Sequence, residues 1–182
     1  MTIAGVEPSL SPSMDIQVSS NFERLYFELK GRDGAAAAAG LKSFRATGTL
    51  PASDAEWQQA RALFSAVRVD DDATLKEIAA TYRTTGELLD PHSAVAVAAA
   101  RRARRDDEAP MVALASAHPA KFPDAVERAT GVRPPLPMRM ADLYDRPEHV
   151  SVLPNDLVAV QRFIAERARP AVSPAGIAGG VA

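Results

Sequence analysis

Asp90-Pro91-His92-Ser93-Ala94-Val95-Ala96-Val97-Ala98-Ala99-Ala100 decides how this chain is read. A carboxylate followed by proline is a helix start. The side chain accepts from the free first-turn amides, and proline sits where no amide partner is needed. The alanines and valines that follow are not confined to one stripe, so the helix is expected to be buried on most sides. Arg101, Arg102, Arg104 and Arg105 close it and suit the negative end of its dipole.

Neighbours for such a helix lie on both sides in sequence. Upstream, Ser20 and Glu23 have capping-box spacing, followed by Phe22, Leu25, Tyr26 and Leu29 at helical intervals. An alanine-rich helix is expected from Asp33 to about Ala46, ended by Gly48. Asp54 opens a third through Trp57, Ala60, Leu63 and Phe64. Asp72 opens a fourth through Leu75, Ile78, Ala79 and Tyr82, with Gly86 beyond it. These two read as a helical pair joined by a short acidic turn. Downstream, the apolar run Met111 to Ala115 is the best strand candidate, and Pro119 opens a helix that reaches Ala129 and stops at Gly131. A short helix near Met138 to Tyr144 and a last one from about Asn155 to Ala168 complete the pattern. The fold class is therefore mostly α with one or two strands. A lone strand makes no sheet, so either it is a stray or it completes a sheet supplied by other sequence. Residues 1–19 read as an irregular lead-in, 20–169 as one helical region with some α/β character, and 170–182 as a flexible tail.

Composition narrows the function. The chain has 182 residues, 47% of them hydrophobic, so a sizeable core is possible. A net charge of -2 and only 5% aromatic residues argue against nucleic acid as a partner. With no cysteine there is no disulfide framework and no thiolate metal site. His92, His118 and His149 lack metal-ligand spacing, so no metal is expected. No apolar run approaches the roughly 20 residues that span a bilayer, and no basic leader precedes an apolar core, so the protein reads as cytoplasmic with no membrane partner. Gly34 and Gly40 bracket alanines and form no phosphate-cradling loop.

Two segments invite chemistry. Pro12 to Arg24 crowds polar side chains into a helix start, where free amides and the dipole favour an anion. A well-capped helix start explains the same residues. Ala115 to Phe122 sets a hydroxyl, an imidazole and an amine (Ser116, His118 and Lys121) at the carboxyl end of the strand candidate, where open α/β sheets bind ligands. An ordinary strand-to-helix turn is the other reading.

SLSPSMDIQVSSNFERLYFE (9–28), ELLDPHSAVAVAAA (87–100) and MVALASAHPAKFPDAVERATG (111–131) closely resemble three stretches of threonine synthases, in the same order and at about the same spacing. VLPNDLVAVQRFI (152–164) is similar to the closing helix of that family. The resemblance implies the C-terminal part of a fold type II (tryptophan-synthase-β-like) pyridoxal 5'-phosphate enzyme. That family is a carbon–oxygen lyase acting on phosphates, which turns O-phospho-L-homoserine and water into L-threonine and phosphate. It places a hydroxyl residue two positions before the histidine against the pyridine nitrogen, here Ser116. Asp15, Ser19, Ser20, Asn21 and Arg24 match the motif expected on the substrate side, and His92, His118 and Lys121 also fall on motif positions. The lysine that holds the cofactor covalently, the phosphate loop and most of the cofactor sheet lie upstream of the first motif in the family. None of Lys30, Lys42, Lys76 and Lys121 sits in that lysine motif, so no catalytic lysine is expected here. The N-terminal half of such an enzyme is then an implied partner. The alternative is a truncated, non-catalytic helical module.

Overall fold

The computed structural model describes residues 1–105 and 108–168, which fall into two compact units divided between Pro137 and Met138. Among the described residues the first unit carries six α-helices: α1 (Phe22–Leu29), α2 (Gly34–Thr47), α3 (Asp54–Leu63), α4 (Asp71–Thr85), α5 (Pro91–Ala103) and α6 (Pro123–Thr130). The expected tail, 170–182, lies outside the described residues.

Local capping chemistry explains most of the helix boundaries. Asp33 accepts from the amides of Ala35 and Ala36 at 2.9 and 3.0 Å and starts α2. Gly48 ends it at φ 73°, a left-handed conformation that costs glycine nothing. The reciprocal capping box expected at Ser20 forms instead at Ser53 and Glu56, at the start of α3. Asn21 is itself helical, and Phe22 and Glu23 donate to the carbonyls of Ser19 and Ser20 at 3.1 and 3.2 Å. The chain therefore enters α1 from a preceding turn, with no side-chain cap. The start of α4 belongs to Asp70, whose carboxylate takes the amide of Ala73 at 2.9 Å, two residues earlier than the start expected at Asp72.

Two groups of helices pack separately within this unit. Tyr26, Ala37, Phe44 and Leu50 form one core, with Phe22 and Leu41 against it. Burying a ring such as Phe44 is worth about 1.5–3 kcal/mol. Tyr26 lies across α2 at Gly40 and donates its hydroxyl to the carbonyl of Pro51 at 2.8 Å. In the second group α4 packs on α5 and α6, which bury Ile78, Ala94, Ala98 and Val126. No residue of α5 from Pro91 to Ala100 is exposed, as its composition requires.

The pairing expected of α3 and α4 does not occur: α3 packs on α1. Phe64 leaves α3 in an extended conformation, and Lys30 Nζ, just past α1, binds Glu56 at 2.7 Å. That hydrogen bond, reinforced by the amide of Ser53, holds the Glu56 carboxyl below its usual 4.5, while Glu56 raises Lys30 above its usual 10.5. A depressed carboxyl contributes stability that is full above its unfolded pKa and is lost as pH falls through its folded one. A raised amine contributes below its unfolded pKa and loses the contribution as pH rises through its folded one. The α1–α3 contact should therefore weaken in acid below pH 4.5 and in alkali above pH 10.5. Unfolding midpoints of wild type and Glu56→Gln across pH check this: their difference should shrink at both ends, and a constant difference contradicts it.

The expected strand is absent: no strand forms among the described residues. Met111 to Ala115 has no regular secondary structure and makes no backbone–backbone hydrogen bond, and Val112 and Leu114 are 75% and 76% exposed. A ladder needs a second edge, and the described residues offer none there. The only pairing among the described residues is an isolated antiparallel bridge between Thr2 and Thr49. It ties down a lead-in expected to be irregular, as does Gln17, whose Oε1 accepts from the amides of Ala4 and Gly5. The helix expected from Pro119 to Ala129 is divided into a 3-10 turn, Pro119–Lys121, and α6. Pro123 has no amide to continue the turn and restarts the helix at its own first position.

In the second unit the helix expected near Met138 resolves into two 3-10 turns, Met138–Met140 and Leu143–Asp145. They precede α7 (Leu157–Arg167), capped by Asp156 through the amide of Ala159 at 2.7 Å. Among the described residues no helix is long and apolar enough to cross a membrane.

Candidate functional site

The first turn of α5 is a densely bonded polar point. Asp90 is fully buried, and His92 and Ser93 are 4% and 3% exposed. The Asp90 carboxylate accepts four hydrogen bonds. Oδ1 takes the His92 amide and His92 Nδ1, each at 2.9 Å. Oδ2 takes the Ser93 amide at 3.2 Å and the Ser93 hydroxyl. The two ring nitrogens of His92 are thereby assigned: Nδ1 carries the hydrogen, and Nε2 accepts the amide of Ser13 at 3.2 Å. The hydroxyl of Ser93 gives its hydrogen to Asp90 and accepts the amide of Ser116 at 3.3 Å. The His92 ring packs at 4.7 Å on Phe122, just beyond Lys121. One helix start thus gathers a loop from the first motif, the second motif itself and the turn of the third.

The expected site residues divide around this point. The backbone of Ser116 is held, while the residue is exposed and its hydroxyl has no hydrogen-bond partner among the described residues. His92 is buried with both nitrogens engaged. His118 caps the following turn, its Nδ1 accepting from the amide of Ala120 at 3.1 Å. Lys121 lies over the ring of Phe122 at 5.9 Å. Asp15 faces its own loop, binding the amide and hydroxyl of Ser9 at 2.7 and 2.8 Å. It also lines a cleft of about 440 Å³ beside Arg68, Asp70 and Asp71. Ser19 and Asn21 border a different, more apolar groove of about 790 Å³ with Trp57, Phe64 and Arg105. Asn21 Oδ1 accepts from Arg24 at 3.0 Å, and Ser20 contributes only its carbonyl to α1. The first-motif residues are therefore not gathered into one pocket. Asp90 and Ser93 were missed as members of the site. Their signal was the run of polar residues opening an otherwise apolar helix.

No group of three or more His, Cys, Asp or Glu residues able to hold a metal occurs among the described residues. Of the lysines, Lys30 is committed to Glu56 and held protonated by it.

Comparison with known proteins identifies the family of the chain. The family model "Threonine synthase, C-terminal" matches residues 93–164. The threonine synthase of Pseudomonas aeruginosa is 54% identical over 162 residues, covering 88% of this chain and 34% of that protein. The crystal structure of PLP-bound threonine synthase from Brucella melitensis superposes with a TM-score of 0.78 at 45% identity, over 92% of this chain and 36% of that one. Threonine synthase from yeast follows with a TM-score of 0.72 at 28% identity, over 88% of this chain and 36% of that one. The chain belongs to the threonine synthase family and corresponds to its C-terminal portion. It spans about a third of the length of the relatives it matches.

Proposed function

We propose that this chain forms the cofactor-ring and substrate side of a fold type II threonine synthase, which converts O-phospho-L-homoserine and water to L-threonine and phosphate. The observation that carries this reading is the hub at Asp90, which brings the Ser13 loop and the Ser116 turn together. The unpartnered hydroxyl of Ser116 fits the ring edge of pyridoxal phosphate as a hydrogen-bond donor. When bound, that cofactor supplies an electron sink for charge developing beside the substrate amino group. Ser116 would orient the ring through its nitrogen without fixing a proton there, as a neutral hydroxyl does not stabilise the protonated form as a carboxylate would. The phosphate loop and the cofactor lysine are assigned to the other two thirds of the enzyme. The unpaired stretch from Met111 to Ala115 fits a sheet completed by that portion.

A second reading, a helical module without catalysis of its own, draws on the lysines, since Lys30 is protonated and ion-paired and Lys121 lies over Phe122.

A chimera tests the first reading: this chain replaces the corresponding third of the Pseudomonas enzyme. It should form threonine and phosphate from O-phosphohomoserine. Ser116→Ala should lower its kcat about tenfold, the equivalent of one hydrogen bond of about 1.4 kcal/mol. A folded, cofactor-loaded chimera that makes no threonine overturns the proposal. For the chain alone, a borohydride-trapped cofactor adduct at Lys121 would overturn the assignment of the lysine elsewhere.

A further inference from the structure

The geometry points to His92 and Ser93 as positioning residues that hold two separate segments of the site, the Ser13 loop and the Ser116 turn, at fixed distances from one buried carboxylate. The importance of those segments rests on the function proposed above; the positioning itself does not. Motif matching alone places His92 with the substrate-side candidates, but its ring has no nitrogen to spare. Nδ1–H is given to Asp90 at 2.9 Å and Nε2 is occupied by the Ser13 amide at 3.2 Å. With the ring also against Phe122 and only 4% exposed, His92 neither reaches a ligand nor exchanges a proton with one while these bonds stand. Ser93 is equally committed, its hydrogen on Asp90 and its oxygen on the Ser116 amide. The bonds form two arms. One runs Asp90–His92–Ser13 across 79 residues of sequence, and the other Asp90–Ser93–Ser116 across 23. Each arm ends on a backbone amide, so it sets where the chain runs and leaves the Ser116 hydroxyl free for other work. No buried side-chain nitrogen or oxygen among the described residues lacks a partner, so the network is closed.

Amide hydrogen exchange in the intact chain tests the arms, and it reads neither activity nor cofactor. Ser93→Ala should speed exchange at Ser116 about five- to tenfold, the loss expected for one hydrogen bond, and leave Ser13 near wild type. Ser93→Thr keeps the hydroxyl and should restore slow exchange. His92→Phe keeps a ring against Phe122 but loses both nitrogens, and should speed Ser13 while sparing Ser116. This crossed pattern is the result expected of two positioning arms. Unchanged exchange at Ser116 in Ser93→Ala overturns the proposal. An equal rise at both sites in either variant also overturns it, because that is the behaviour of a general stability element. A chimera that makes no threonine while the crossed pattern holds would refute the proposed function and leave the positioning intact.

Discussion

Gly40→Ala should destabilise the first unit by about 1–3 kcal/mol, seen as an earlier loss of helix signal in urea. A Cβ at this position would lie 2.1 Å from the Tyr26 hydroxyl oxygen and 2.8 and 2.9 Å from two ring carbons, all inside contact distance. Tyr26 cannot swing away cheaply, because it is 1% exposed and its hydroxyl donates to Pro51. Forcing an extra carbon into a filled core costs about 1–3 kcal/mol. Losing the Pro51 bond adds about 1 kcal/mol. Alanine's better helix propensity returns about 1 kcal/mol at most. Adding Tyr26→Phe should recover part of the loss, since the worst contact is with the hydroxyl. A Gly40→Ala variant as stable as wild type would show that Tyr26 has another place to go.

Asp90→Ala should cost about 3–5 kcal/mol, well beyond an ordinary helix cap. Four donors lose their acceptor at once, in surroundings where His92 and Ser93 are at most 4% exposed. A cap alone is worth about 1 kcal/mol, and each buried donor left without a partner adds roughly 1–3 kcal/mol before the structure relaxes. Asp70→Ala is the internal control. Asp70 caps α4 in the same way but is exposed, so it should lose only about 1 kcal/mol. Denaturant unfolding of both variants makes the comparison. Equal losses would mean that the buried network adds nothing beyond capping.

The parts of the fold legible in the sequence are those governed by a few neighbouring residues. Asp33, Gly48, Gly86 and the Asp90–Pro91 pair mark helix ends because capping involves residues two to four apart. Ser20 and Glu23 had the same spacing as Ser53 and Glu56, yet only the second pair forms the box, because the chain is already helical at Asn21. Met111 to Ala115 has the composition of a strand, but composition says nothing about whether a second edge is present. The partner of α3 was misjudged because the Lys30–Glu56 contact joins residues 26 apart. The candidate site shows the same division. Ser116 is nominated by its motif alone, whereas the bonds of His92 and Ser93 to Ser13 and Ser116 are not visible in any local pattern.

The tie between Ser13 and His92 also bears on how freely the chain between them can change length. Closing a flexible loop costs an entropy that grows only with the logarithm of its size, about 0.6 kcal/mol for each doubling. A tether already 79 residues long is thus nearly indifferent to a few more. Turns between α1 and α4 can gain or lose residues without moving the loop that the histidine holds. The 23-residue span from Ser93 to Ser116 has less slack, because each residue added is a larger fraction of a shorter loop. Length variation should therefore accumulate before the hub and be resisted after it.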